Sequence, residues 1–219
     1  MIERLVREDK TNLVTFPDQR YSSPSYYAAA YFEQYAKASA SVDVRKLADA
    51  IAVLQNTYEN GCTLYVCGNG GSASISNHLA CDHGKLLATD TDLLPHVQSL
   101  ATNVEVITAI ANDISYDEVF VHQLQLLASA QDVLLTVSSS GDSENVVRAA
   151  AWAKDTGMKV VALTGFDGGR TADLATINLH VAGDNYGIIE DVHQSLMHLM
   201  GQYIRHARMA DEVIRNCRF

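Results

Sequence analysis

A histidine and an aspartate lie four residues apart just after a glycine-rich segment. Gly68-Asn-Gly-Gly-Ser72 is followed by His78 and Asp82, and a spacing of four puts both side chains on one face of a helix. An imidazole and a carboxylate held together can move protons on a bound substrate. The same two groups are also zinc ligands. The spacing therefore predicts acid–base chemistry or a divalent metal site.

The last long helical pattern carries a second set of such side chains. Glu190 and His198 are two turns apart on roughly the same side of this predicted helix. His83 and His193 are alternative imidazoles, and spacing does not decide which of the histidines point inward. Two imidazoles and two carboxylates suit a divalent metal such as zinc, or proton transfer between neighbouring carbons. Four unrelated polar residues on helix surfaces are the simpler alternative.

Two loops directly precede predicted helices and could bind an anion. Gly68–Ser72 follows one apolar strand, and Ser138-Ser-Ser-Gly-Asp-Ser143 follows another. Backbone N–H groups at such a junction point outward at the positive end of a helix, where phosphate binds. Ser143 alone could be a helix N-cap. Four hydroxyl groups with a glycine favour a phosphate site that needs no Lys or Arg.

Short apolar runs alternate with helical patterns after Gly61. Asn112-Asp113 is a polar break after one of these helices, which by itself predicts only a turn. The alternation predicts a parallel sheet covered by helices on both faces, with ligands at the carboxyl ends of the strands. The predicted strands are Thr63–Cys67, His96–Leu100, Asp132–Val137, Lys159–Leu163 and Ile177–Val181.

One domain with a helical extension accounts for the chain of 219 residues. Two amphipathic helices are predicted within residues 24–60, and they must pack on the sheet domain, on a partner subunit, or on both. Residues 1–23 are charged and polar and are predicted to be a flexible segment ahead of the single domain at 24–219.

The composition excludes several classes of protein. A formal net charge of −10 without a Lys/Arg cluster argues against a nucleic-acid surface. No run of about 18 apolar residues is present, so no membrane-spanning helix is predicted. The four cysteines have neither CxxC spacing nor a disulfide pattern, which fits a cytoplasmic enzyme with reduced thiols.

These motifs resemble those of the sugar isomerase (SIS) domain family and, within it, the phosphoheptose isomerases. The resemblance runs from about residue 40 to 203 and rests on Gly68–Ser72, His78, Asn112-Asp113, Ser138–Ser143, Val160–Gly169, Glu190–His193 and His198. It implies a flavodoxin-like α/β fold, a three-layer α/β/α sandwich with a five-stranded parallel sheet and added N-terminal helices. It also implies a homotetramer with active sites between subunits.

The resemblance assigns roles to individual residues. It implies catalysis by Asp82 and His198, and one zinc ion per subunit on His78, Asp82, Glu190 and His198. The implied substrate-binding residues are Asn69, Gly70, Gly71, Ser72, Asn112, Asp113, Ser138, Ser139, Ser140 and Ser143. Three positions depart from the family pattern, with Asp82 for the usual Glu, Glu190 for Gln, and Leu86 for a basic residue.

The expected activity is aldose–ketose isomerisation. By resemblance, sedoheptulose 7-phosphate would become D-glycero-D-manno-heptose 7-phosphate through an enediol(ate), for the heptose of surface polysaccharides. Another phosphosugar is one alternative, and a non-catalytic SIS adaptor that binds the replication initiator is another. The adaptor type does not keep an acid at the catalytic carboxylate position, so Asp82 with His198 favours catalysis. The sequence leaves open which of the two is the primary base, and whether turnover needs the metal.

Overall fold

Five parallel strands form one sheet in the computed structural model, which describes residues 15–218. The strand order is β2-β1-β3-β4-β5, so β3 lies at the centre with β1 and β4 as its neighbours. This order is that of the flavodoxin-like fold. The predicted fold class is therefore confirmed. The strands are β1 (Thr63–Cys67), β2 (His96–Ser99), β3 (Val133–Ser138), β4 (Lys159–Thr164) and β5 (Ile177–His180).

Helices cover both faces of the sheet and complete the three layers. Apolar residues of α2, α3 and α8 form one core with the sheet, and those of α4, α5 and α6 form a second core on the opposite face. The helices are α1 (Pro24–Ala40), α2 (Val44–Glu59), α3 (Gly71–Cys81), α4 (Val104–Asp113), α5 (Val121–Leu127), α6 (Glu144–Asp155), α7 (Gly169–Leu174), α8 (Tyr186–His206) and α9 (Asp211–Asn216).

The strand order places both predicted loops at one crevice. From β1 the chain continues to β2 on one side, and from β3 it continues to β4 on the other side. The carboxyl ends of β1 and β3 therefore flank a topological switch point, where ligands of open parallel sheets bind. Residues 68–72 follow β1 and residues 139–143 follow β3, so the two loops face this crevice from neighbouring strands.

The N-terminal helices pack on the sheet domain of the same subunit. The Tyr31 hydroxyl donates to Asp191 Oδ2 at 2.6 Å, and the Tyr35 hydroxyl bonds to Ser195 Oγ at 2.7 Å, which ties α1 to α8. Residues 1–14 of the predicted flexible segment lie outside the described residues. Just after them, Phe16 is buried and packs against the Tyr31 ring.

The helices depart most clearly from the sequence pattern in three places. Helix α3 begins at Gly71 rather than Ser72, and it gives way to one π-helical turn at Asp82–Leu86. The apolar spacing over 117–128 favours one helix, whereas the structure has a 3₁₀ turn at Tyr116–Glu118 followed by α5. Helix α9 was not predicted. None of the helices among residues 15–218 has the length and apolar character needed to cross a membrane.

Candidate active site

The structure brings His78, Asp82 and His198 together at the interface of α3 and α8. His198 Nδ1 lies 2.9 Å from Asp82 Oδ2, and His78 Nε2 lies 3.3 Å from Asp82 Oδ1. The two imidazole rings meet edge to face, with centroids 4.9 Å apart. One carboxylate therefore bridges two imidazoles. We call these three residues the His/Asp cluster.

Local helix geometry aims these side chains at one another. Asp82 is the first residue of the π-helical turn that follows α3, and such wider turns frequently occur at functional sites. His78 lies one turn earlier on α3, and His198 projects from α8, which packs against α3 and the π-helical turn.

The two competing histidines point into the core instead. His83 Nδ1 bonds to the Tyr58 hydroxyl at 2.7 Å, and its Nε2 bonds to the Met197 carbonyl at 3.1 Å. His193 Nε2 bonds to the Thr164 carbonyl at 3.2 Å. Burial lowers the pKa of each imidazole to about 4, so both are neutral. Spacing left open which histidines reach the site. The structure shows that His83 and His193 are packed in the core instead.

Glu190 does not belong to the His/Asp cluster. Among the described His, Cys, Asp and Glu residues, the potential ligand atoms that lie within 4.8 Å of one another here come from His78, Asp82 and His198. The Glu190 carboxylate instead packs against Gly71, where a Cβ atom would overlap it. It lies beside the first residue of α3, where a helix favours negative charge. Burial and the nearby Asp191 charge raise the pKa of Glu190.

Gln194, which was not among the predicted residues, contacts both imidazoles of the cluster. Its amide nitrogen lies 2.9 Å from His78 Nδ1 and 3.0 Å from His198 Nε2. The sequence analysis missed this residue because a glutamine within a helix has no motif of its own. Its position one turn before His198 was the available signal.

The loop Ser138–Ser143, which we call the serine loop, turns at the carboxyl end of β3 and leads into α6. Ser138 Oγ accepts a hydrogen bond from the Gly141 N–H at 3.1 Å. Ser139 is buried, and its hydroxyl has no hydrogen-bond partner among the described residues. Ser143 stands at the N-cap position of α6, but its side chain makes no capping hydrogen bond. Two of the four hydroxyls of the serine loop, those of Ser139 and Ser143, are thus not used to hold the protein's own backbone.

Close backbone contacts at three glycines support the serine loop. A Cβ atom at Gly141 would overlap the Gly168 carbonyl, and one at Gly169 would meet the Ser140 carbonyl oxygen at 2.5 Å. The Gly141 carbonyl also accepts from the Thr171 N–H at 2.9 Å. The turn between β4 and α7 thus also fixes the shape of the neighbouring serine loop.

An amide pair joins the glycine-rich loop at Gly68–Ser72 to the start of α6. Asn69 Nδ2 donates to Asn145 Oδ1 at 2.8 Å, and Asn145 Nδ2 donates back to Asn69 Oδ1 at 3.0 Å. The Tyr116 hydroxyl adds a hydrogen bond to Asn69 Oδ1 at 2.9 Å. The glycine-rich loop is therefore held to α6 through Asn69, which the sequence analysis names, by Asn145 and Tyr116, which it does not.

The other residues expected near the substrate occupy three different settings. Gly70 has φ of +57° at the N-cap of α3, a conformation that suits glycine. Ser72 is buried in the first turn of α3. Asn112 and Asp113 end α4, where Asn112 Nδ2 donates to Asp113 Oδ1 at 2.8 Å and both side chains are exposed. Tyr116 connects the segment after Asp113 to the glycine-rich loop.

Comparison with known protein families identifies the family of this chain. The family model for the SIS domain matches residues 27–165, which is more than half of the chain. The chain belongs to the SIS domain family. The matched range of this SIS protein contains both loops, His78 and Asp82, whereas α8 with His198 follows it.

Relatives of this SIS chain include enzymes named phosphoheptose isomerase. One from Helicobacter pylori is 38% identical over 154 residues, which are 70% of this chain and 80% of the relative. One from Aliarcobacter butzleri is 39% identical over 158 residues, 72% of this chain and 83% of the relative. The structure of phosphoheptose isomerase GmhA from Neisseria gonorrhoeae superposes with a TM-score of 0.77 at 31% identity, covering 84% of this chain and all of that chain (100%). The SIS chain is accordingly an isomerase enzyme.

The donor set of the His/Asp cluster fits a divalent metal. Imidazole nitrogen and carboxylate oxygen are zinc ligands, and three protein ligands with an open position are typical of catalytic zinc sites. His78, Asp82 and His198 supply three such groups within 4.8 Å of one another. The structure thus offers a candidate metal site of three residues. Glu190, the fourth predicted ligand, is not among them.

Proposed function

We propose that this protein converts sedoheptulose 7-phosphate into D-glycero-D-manno-heptose 7-phosphate. The names and identity of its relatives support a phosphosugar as the substrate. The observation that carries the proposal is the contact of 2.9 Å between His198 and Asp82, because it joins a potential base to a potential acid.

The serine loop would hold the phosphate. Its backbone leads into the N-terminus of α6, and N–H groups at such an end attract an anion. The unpartnered Ser139 hydroxyl and the Ser143 hydroxyl would add hydrogen bonds. A phosphate bound there would leave the carbonyl end of an extended sugar free to reach toward α3 and α8. Asn69, Gly70, Gly71, Ser72, Asn112 and Asp113 are the proposed contacts of the sugar body.

Asp82 and His198 would carry out the proton transfers. One of them removes a proton from C1 of the ketose, and the C1–C2 bond becomes the double bond of an enediol(ate). A proton then returns to C2, and the proton on the C1 oxygen moves to the C2 oxygen, which completes the aldose. The sum of these transfers is zero, so no other reactant is consumed. General acid–base catalysis of this kind contributes about 10²–10⁴ in rate.

Zinc is the cofactor that we propose for the His/Asp cluster. His78, Asp82 and His198 would hold the ion, and the predicted fourth ligand, Glu190, lies against Gly71 instead. When bound, a divalent ion would polarise the carbonyl of the substrate as a Lewis acid.

The same proposal includes a homotetramer with sites between subunits, in the cytoplasm, supplying heptose for surface polysaccharide. Large apolar side chains on the outer faces of α1 and α8 support an assembly. Tyr26 is 68% exposed, Phe32 is 67% exposed and Tyr203 is 53% exposed. Such residues are enriched where subunits meet.

A panel of phosphorylated five-, six- and seven-carbon sugars tests the proposal, with and without added zinc. We expect turnover of sedoheptulose 7-phosphate with the highest kcat/KM of the panel. The matched control is Asp82→Asn, which keeps the size of the side chain and removes its charge. Highest turnover on another sugar would replace the substrate, and binding without turnover of any sugar would favour a sensor or adaptor.

A further inference from the structure

The Asn69 side chain on the glycine-rich loop spends most of its hydrogen-bonding capacity on the protein itself. Its Oδ1 accepts one hydrogen bond from Asn145 Nδ2 at 3.0 Å and another from the Tyr116 hydroxyl at 2.9 Å. Its Nδ2 donates one hydrogen to Asn145 Oδ1 at 2.8 Å. A carboxamide has two lone pairs and two hydrogens to offer. Three of these four are used within residues 15–218, so one hydrogen on Asn69 Nδ2 is left for a ligand.

We propose that Asn145 and Tyr116 are positioning residues that present Asn69 to the sugar as a hydrogen-bond donor. This inference rests on the proposed role of Asn69 as a contact of the sugar body. Because both lone pairs of Oδ1 are occupied, Asn69 can only donate to the ligand. The group that it binds is therefore an acceptor, such as a hydroxyl or carbonyl oxygen of the sugar.

Asn145 fixes the place of Asn69 relative to the serine loop. It is the second residue of α6, and the N-cap of this helix is Ser143, the last residue of the serine loop. Asn145 is only 2% exposed, so the amide pair forms out of water, where an unpaired amide group is costly. The pair therefore ties the loop that we propose to contact the sugar body to the helix that begins at the proposed phosphate site.

Tyr116 selects the orientation of the amide pair. Two paired carboxamides would satisfy each other equally well if both were turned over, and Asn69 would then offer a lone pair instead of an N–H. The Tyr116 hydroxyl donates to Oδ1 and so favours the observed orientation. Its own position is fixed on α6, because Glu118 in the same 3₁₀ turn accepts a hydrogen bond from Arg148 at 2.5 Å.

Steady-state kinetics of the full-length chain tests the proposal with Tyr116→Phe, which removes one hydroxyl from an exposed ring. KM for sedoheptulose 7-phosphate should rise about two- to tenfold, as expected for about one hydrogen bond, with kcat unchanged because the contact holds substrate and transition state alike. Asn145→Leu, which keeps a branched side chain and removes both amide contacts, should raise KM at least as much. The matched control is Tyr21→Phe, which removes a hydroxyl that donates to Asp18 at 2.8 Å and should leave KM unchanged.

The Asn69→Ala background shows whether Tyr116 acts through Asn69. Residues that act through one contact are not additive, so Tyr116→Phe should raise KM no further in this background. An equal rise with and without Asn69 would mean that the hydroxyl acts through another group, and it would overturn the proposal. Unchanged KM in both Tyr116→Phe and Asn145→Leu, or a loss confined to kcat, would overturn it as well.

Calorimetric binding separates this inference from the proposed function. If the wild-type protein binds the sugar phosphate but does not turn it over, the proposed function fails, and Kd replaces KM in the same comparison. A Kd about two- to tenfold higher in Tyr116→Phe than in Tyr21→Phe would then support the positioning role, and equal Kd values would contradict it. If no sugar phosphate of five to seven carbons binds, both proposals fail.

Discussion

The serine loop and the His/Asp cluster, which we propose to bind and to convert the substrate, are built in opposite ways. The serine loop is fixed by its backbone, with Gly141 pressed against Gly168 and with Ser139 only 4% exposed. The cluster is made of side chains on helix surfaces, where the His78 side chain is 47% exposed and that of His198 is 37% exposed. One region is a rigid cradle, and the other is a set of hydrogen-bonded groups open to solvent in the single subunit.

This contrast separates binding from chemistry. A loop held by buried backbone contacts keeps its shape when one side chain changes, because each hydroxyl contributes only part of the binding. A cluster held by side-chain hydrogen bonds loses its arrangement when any member changes. Substitutions in the loop are therefore expected to act on KM and on folding stability, and substitutions in the cluster on kcat.

The largest effect is expected in the cluster. Asp82→Asn and His198→Gln should each lower kcat by about 10²–10⁴, because each removes a proton-transfer group. KM should change little, since the serine loop that we propose to hold the phosphate is untouched. Steady-state kinetics with sedoheptulose 7-phosphate measures both. Near-normal kcat in both variants would end the catalytic assignment, and an increase in KM alone would mean that the cluster binds rather than reacts.

A backbone change in the serine loop should have the next largest effect. Gly141 has φ of +62°, and a methyl group there would overlap the Gly168 carbonyl. Gly61 has φ of +65° but open space around its Cβ position, so Gly61→Ala is a control with the same backbone strain. We expect Gly141→Ala to lower the free energy of unfolding by about 1–3 kcal/mol more than Gly61→Ala does, the usual cost of overpacking.

Denaturant unfolding measures this difference, and KM for the sugar phosphate should rise with it in Gly141→Ala only. Equal stability of the two variants would mean that the loop moves away from Gly168 at little cost. The serine loop would then be no more rigid than the His/Asp cluster, and the comparison of the two regions would fail.

The two regions also differ in how much of them could be predicted from the sequence. The strands and the serine loop were predictable, because apolar runs, glycine and clustered hydroxyls reflect local backbone requirements. His78 and Asp82 were predictable from helical spacing. Gln194 was not, since its role depends on which face of α8 meets α3, and that is a property of packing.

Glu190 shows the same limit of prediction from sequence, because its spacing indicated a shared site that the structure does not form. Its spacing from His198 predicted a shared site, but eight residues of helix separate the two along the axis by about 12 Å. The direction of a long side chain decides whether it closes such a gap, and here the Glu190 carboxylate lies at Gly71. Tyr116 and Asn145 were missed for a related reason, because their partner Asn69 is distant in sequence.

A buried histidine behind the serine loop gives a third test. His193 bonds to the carbonyl of Thr164, which pairs with Ser138 across β3 and β4, and burial lowers its pKa to about 4. The unfolded chain binds a proton at this residue near pH 6.5 and the folded chain does not, so stability falls as the pH drops from 6.5 toward 4. Through this histidine, the free energy of unfolding should fall by about 2 kcal/mol from pH 7 to pH 5.

Urea unfolding across this range should therefore show a weaker pH dependence in His193→Gln than in the wild-type protein. Gln has a donor for the Thr164 carbonyl and does not titrate. An unchanged pH dependence would mean that His193 reaches solvent protons in the folded state. The rear of the serine loop would then be less enclosed than its burial indicates.

The smallest effect is expected from the ion pairs on the outside of the serine loop. Arg170 Nη1 donates to Glu144 Oε2 at 2.8 Å, and its Nη2 donates to the Asp142 carbonyl at 3.0 Å. These groups are exposed, and exposed ion pairs contribute little because water and salt screen them. If the glycine contacts hold the loop, Arg170→Met should raise KM by less than about threefold.

The salt dependence of KM in this variant separates the contribution of the ion pairs from that of the glycine contacts. At about 1 M salt the screening length is roughly 3 Å, so the remaining difference in KM between Arg170→Met and the wild-type protein should shrink. A tenfold or larger increase in KM at low salt would reverse the interpretation. The serine loop would then depend on side-chain contacts at the surface, as the His/Asp cluster does, and its backbone packing would not be what sets its shape.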